Sequence, residues 1–305
     1  MDKITYWKNF NLGVELEIAA NFIYNSLRTY HELHNLYYAQ EIFEVLYGLA
    51  VGIERIAKIA IILIEHNPEI NQSDFDESLI THSHQHLIER IQKQRDLKLS
   101  TPCNELVQLL TQFYKTQRYE RYNTSSISAV GGEKLAFHKF MAHNLNITIE
   151  DNYPYQITEN SARMKRFLGR TVKNIVLPLY KIVSNQATAL GIYTSELRYF
   201  TKAYKLFLME SFDFFDEDIL KKEILLYFLA NQDCSRVKLL KKLTPVPFDV
   251  GDGFDHINAL LKTNGELTVM DELESHYEDI SDKKMRFEII NAVSDESVIL
   301  EEEDE

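Results

Sequence analysis

Arg163, Arg166, Arg170 and Lys173 recur at i, i+3, i+7 and i+10, a spacing that sets four cations on one face of a helix. Met164, Leu168, Ile175 and Leu179 fall on the inward face of the same stretch. A second set, Arg198, Lys202 and Lys205, is expected to oppose Leu197, Phe200, Tyr204 and Phe207 on the next helix. Together the two helices would present seven positive side chains. Such a surface recognises phosphate, because each neutralised phosphate releases condensed counterions, and RNA or DNA is the partner it favours. The competing uses are a solvated helix face and a dock for the chain's own acidic C-terminal third.

Other chemistry-bearing residues are less well organised. His82 and His86 are four apart and would share a helix face, with His84 pointing elsewhere. Zinc needs at least two further ligands, and no Glu stands in an H-E-x-x-H arrangement, so the expectation is ordinary polar histidines and no metal. Gly131-Gly132 precedes a helical stretch without the Lys-Ser/Thr of a phosphate loop, and reads as a turn. Ser125, Ser126 and Ser128 have no G-x-S-x-G context to mark a nucleophile. No cofactor motif is present.

The elements that carry these residues are helical. With 10 Gly and 6 Pro in 305 residues the chain is poor in turn formers, and 45% hydrophobic residues supply a core. Helices are expected over Gly13 to Glu32, Leu36 to Glu65, Glu77 to Gln94, Pro102 to Tyr119 with Thr101 as N-cap, and Glu133 to Asn144. A connector with Pro154 then leads to a long helix from about Ser161 to Ala189, with Pro178 inside it as an expected kink. Ser195 is expected to cap a helix running to Ser211, followed by another over Asp216 to Asn231. Beyond Pro245 the pattern shortens. Asn264-Gly265 reads as a hairpin turn between Asn258–Thr263 and Glu266–Met270, or as a helix C-cap, and alternating Met285, Phe287 and Ile289 suggest a strand.

The fold class is therefore mainly α: a helical bundle over 1–211, a smaller acidic appendage over 212–297 that is α+β or helical, and an acidic tail over 298–305. Charge follows that division. The whole chain carries −13, yet Leu206 to Glu305 holds 25 acids and 10 bases, and Ser161 to Lys205 nine bases and one acid, Glu196. The most apolar stretch, Phe43 to Ile64, contains Glu54, Arg55 and Lys58, which argues against a membrane partner. Cys103 and Cys234 form no metal or redox motif, and no apolar leader opens the chain, so a cytoplasmic protein with reduced thiols is expected.

Glu54-Arg55-Ile56-Ala57-Lys58 on the long apolar helix, followed by the Thr81-His82-…-His84-…-Leu87 helix start, resembles the N-terminal helical hairpin of HEPN-like domains (higher eukaryotes and prokaryotes nucleotide-binding). The resemblance covers about residues 1–145. It implies a small helical bundle that often dimerises, and for many members ribonuclease activity in toxin–antitoxin and antiviral systems. The family's ribonuclease motif is an Arg followed after four to six residues by a His, and Arg28 with His34 has that spacing. On that reading Arg28 polarises phosphate and His34 handles the proton. Glu54 and Lys58, four apart, form an intrahelical ion pair on the simplest account.

The leading expectation is a non-enzymatic HEPN-like protein of bacterial defence or toxin–antitoxin type, binding nucleic acid or a partner through its basic helices. The alternatives are a metal-independent ribonuclease shared across a homodimer, and a protein interaction module working through the acidic C-terminal third.

Overall fold

The computed structural model describes residues 1–120, 122, 124, 131–152, 154–247, 249–262 and 267–295. They divide into two compact units, Met1–Phe214 and Phe215–Glu305. The loop serines Ser125, Ser126 and Ser128, the Asn264-Gly265 turn and the tail 298–305 lie outside the described residues.

The first unit opens with a short helix α1 (Lys3–Tyr6), which passes through a π-helical turn (Trp7–Asn11) into α2 (Leu12–Glu32). Next comes α3 (Ala39–Glu65), whose buried residues lie on all sides over its middle turns. A helix apolar all round needs neighbours on every side, and α3 has them: α2 runs against it, together with α5 (His84–Gln92), α8 (Gly132–Leu145) and α9 (Ala162–Ala189). Gly52 lets the α2 backbone approach, since a Cβ there would sit 2.9 Å from the Ala19 carbonyl oxygen.

The expected helix Glu77 to Gln94 is in fact two, α4 (Gln72–Ser78) and α5. The Ser83 hydroxyl accepts the His86 N–H at 3.3 Å and starts α5 afresh, so the serine acts as a cap where periodicity alone reads straight through. The fourth expected helix begins one residue early, with Ser100 rather than Thr101 at the N-cap position. It runs as α6 (Thr101–Gln112), a second π-helical turn (Phe113–Gln117) and α7 (Arg118–Glu120). After α8 the Pro154 connector contains a two-residue antiparallel pair, β1 (Asp151–Asn152) with β2 (Gln156–Ile157). The long helix α9 starts where expected, with Ser161 as its cap, its hydroxyl accepting from the Met164 N–H. Pro178 lies within that helix.

The expected helix from Ser195 to Ser211 shrinks to α10 (Lys202–Phe207). Phe200 has φ +62°, which no right-handed helix tolerates, and Thr201 supplies the cap instead by accepting the Tyr204 N–H at 3.1 Å.

The second unit is helical: α11 (Phe215–Ala230), α12 (Ser235–Leu240), α13 (Gly253–Leu261), α14 (Leu267–Glu278) and α15 (Lys283–Ser294), with a 3₁₀ turn at Val250–Asp252. The expected strand around Met285, Phe287 and Ile289 is α15. The Asp282 carboxylate caps it by accepting the Met285 N–H, and Met285 and Ile289 are a helical i, i+4 pair as readily as an alternating one. The segments flanking Asn264-Gly265 are likewise helix rather than hairpin strands. Among the described residues no helix is long and apolar enough to cross a membrane.

Candidate functional site

The cationic face of α9 follows from its buried face. Met164, Leu168, Val172, Ile175 and Leu179 are each at most 2% exposed, and anchoring them turns Arg163, Arg166 and Arg170 outward, where all three are exposed. Arg163 donates to the Leu145 carbonyl at 2.8 Å, capping the C-terminus of α8 with a cation. Lys173 is half-buried and pairs with Glu210 at 2.7 Å. It stands on the wall of a cavity of about 750 Å³ that Lys98 and Lys181 also line. From Arg163 to Lys181 the helix rises about 27 Å at 1.5 Å per residue, long enough to follow several phosphates.

The second set is anchored differently. Arg198 precedes α10, in an irregular stretch, and pairs with Glu17 of α2 at 2.6 Å. Lys202 donates to Asn25 Oδ1 at 2.6 Å and lies 5.4 Å from the Tyr24 ring, with Lys205 5.7 Å from the same ring. These three therefore lean on α2 rather than repeating the α9 pattern. Phe200, expected on their inward side, is 86% exposed. The loss of the helix from Ser195 is the reason: without helical geometry over 195–200, the expected spacing has no face to define.

A polar cleft on α3 was not visible as a unit in the sequence. Glu54 is buried and receives Lys58 Nζ at 2.7 Å, the intrahelical pair its spacing suggests. Its second oxygen faces His82 Nδ1 at 3.2 Å. The His82 ring lies 5.0 Å from that of Tyr114, and the Arg118 guanidinium sits 3.8 Å over Tyr114. Burial raises the Tyr114 hydroxyl pKa, with neighbouring Tyr47 adding to the effect and Arg118 opposing it. The adjoining cavity, about 360 Å³, has an apolar floor that includes Val51, Ile59 and Ile62, and an ion pair of Glu15 with Arg55 beside it. Both π-helical turns supply a wall, through Trp7 and Tyr114, and such turns recur at functional sites. The signal available beforehand was the set of charges Glu54, Arg55 and Lys58 inside the most apolar stretch. Only folding adds His82, Tyr114 and Arg118 to it.

The three histidines have separate fates. His82 lies before α5, so it shares no helix face with His86, and both are exposed. His84 is the buried one. Its Nε2 donates to the Ala50 carbonyl at 2.7 Å, and burial holds its pKa below the usual histidine range. Among the described residues no group of three or more His, Cys, Asp or Glu is placed to hold a metal ion. Arg28 is buried, bonds Glu32 at 2.5 Å and packs 5.2 Å from the Phe214 ring, while His34 is exposed. Gly131 has φ +84° at the start of α8, a turn conformation suited to glycine.

Compared with protein-family models, curated proteins and solved structures, the chain returned no match.

Proposed function

We propose that this chain is a HEPN-like protein of bacterial defence or toxin–antitoxin type that binds nucleic acid through the outer face of α9. One observation carries the reading: Arg163, Arg166 and Arg170 are exposed on a helix whose opposite face is fixed in the core. These charges stand on the solvent side of the bundle, and the affinity of a polyanion for them is expected to fall steeply with salt. Exchanging Arg166→Glu and Arg170→Glu together should abolish retention of labelled RNA or DNA in a filter-binding assay at low salt. Undiminished retention would remove α9 as the interface.

A second reading, a metal-independent ribonuclease, draws support from Glu54 and His82 rather than from Arg28 and His34. The carboxylate orients the imidazole through Nδ1, and the side chain of His82 is 48% exposed, as a general base or acid must be. Arg28, with its guanidinium engaged by Glu32 below Phe214, offers phosphate little access. Incubating total RNA with the protein and with its His82→Ala variant tests this; equal cleavage by both would dismiss His82. The third reading, a protein partner for residues 215–295, rests on Ile219, Leu220, Ile224 and Leu229 of α11, each more than half exposed.

A further inference from the structure

The stretch between α9 and α10 displays aromatic rings where a soluble surface normally hides them. Tyr199 is 65% and Phe200 86% exposed, with ring centroids 4.2 Å apart and planes at 74°. The Tyr204 ring adjoins at 4.7 Å from Tyr199. Phe200 holds φ +62°, a conformation that bulky L residues adopt only under constraint from their surroundings.

That constraint is built from both sides. Upstream, the Thr194 hydroxyl is fully buried and donates to the Lys8 carbonyl, the Tyr193 N–H donates to Asn9 Oδ1 at 2.6 Å, and the Tyr180 hydroxyl donates to the Ser195 carbonyl at 3.1 Å. Downstream, the Thr201 cap begins α10. The bundle thus pins the two ends of a short loop and forces two rings into water. Neither ring adds to the core, so the strain is not explained by packing.

Along the chain, Arg198, Lys202 and Lys205 alternate with these aromatic residues. Lys202 is bonded to the neutral amide of Asn25, which leaves its charge uncompensated by that contact, and Lys205 lies beside the same Tyr24 ring. Arg198 is held by Glu17. Exposed rings, flanked in the chain by positive side chains, complement a ligand that carries flat bases and a regular run of phosphates. A duplex keeps its base faces stacked inside, whereas a single strand exposes them.

We propose that Tyr199 and Phe200, with Lys202 and Lys205, form a base-stacking platform for single-stranded nucleic acid. The proposal rests on the polyanion reading of α9 and adds to it the strandedness of the ligand. α9 supplies charge that either a strand or a duplex can use, and the platform supplies the discrimination.

The test is fluorescence anisotropy on the full chain at low salt, with a fluorescein-labelled 20-nucleotide deoxythymidine oligomer, its uridine counterpart and a 20-base-pair duplex. The double variant Tyr199→Ala/Phe200→Ala should bind both single strands about tenfold or more weakly, and the duplex within about twofold of the parent. Phe200→Trp should keep strand affinity, and its added indole emission should be quenched as the strand binds. Arg166→Glu/Arg170→Glu should weaken single strands and duplex alike. Wild-type strand affinity in the double variant, with binding lost in the arginine variant, would overturn the platform and leave the α9 reading standing. No binding of any probe by the parent would overturn both. A smaller species on size exclusion for the double variant, with strand affinity intact, would assign the rings to a protein contact and also overturn the platform.

Discussion

α3 and α11 are both rich in apolar residues, yet they end in opposite environments. In α3 the residues Ile42, Leu46, Leu49, Ile53, Ile56 and Ala60 are all 0% exposed. In α11 no residue is buried, and Ile219, Leu220, Ile224, Leu226 and Tyr227 are each more than half exposed. The contrast extends to the two units: among the residues of 215–295 whose exposure is described, Val269 alone is buried. Hydrophobic content therefore does not decide burial. α3 packs against α2, α5, α6, α8 and α9, whereas the main contact of α11 is a light one with α13. A run such as Ile224–Leu229 wraps all round its helix, and so light a contact cannot cover it.

Stability measurements separate the two environments. Ile53→Ala or Leu168→Ala should lower unfolding free energy by about 2–5 kcal/mol, because each empties a fully enclosed site. A loss below about 1 kcal/mol in urea denaturation would mean the first unit is not the packed core described. Gly52→Ala should cost about 1–3 kcal/mol, since the new methyl presses on the α2 backbone at Ala19. The same denaturation series with Ser26→Ala as a neighbouring control would show whether helix approach is the cause.

A pH effect belongs to the first unit as well. Burial depresses the folded-state pKa of His84, and likewise of His138, so the unfolded chain binds protons more readily than the folded one. The sign is thus that stability is full above the ordinary histidine pKa of about 6.5 and is lost as pH falls below it, by at most about 1.4 kcal/mol per pH unit for each group. His84→Gln should flatten that dependence in thermal melts between about pH 7 and 5; an unchanged slope would show that His84 contributes none of it. The smallest effect is expected in α11, where Ile224→Ala should shift stability by no more than about 0.5 kcal/mol, as for other exposed positions. A larger loss on the full chain would mean that α11 is covered in solution.

Where sequence and structure agree, the information is local. Ser161 before a helical repeat of Met164, Leu168, Ile175 and Leu179 specifies both the start and the inward face of α9, and Glu54 with Lys58 needs only a helix to meet. Where they part, two local choices competed, and contacts outside the repeating pattern settled them. Ser195 and Thr201 are both acceptable caps, and Thr201 prevails because Ser195 and its neighbours are held by Tyr180, Asn9 and Lys8. Met285, Phe287 and Ile289 satisfy a strand and a helix alike until the Asp282 cap selects the helix.

By itself, then, the sequence determined a mainly helical chain, the long amphipathic α9 and its outward arginines, because hydrophobic period and capping chemistry act within a few residues. Tertiary structure alone decided that His82, Tyr114 and Arg118 gather on Glu54, that Lys202 and Lys205 turn toward Tyr24, and that Phe200 stands in solvent. Those outcomes depend on which helices pack together, and residues far apart in the chain carry no mark of their future neighbours.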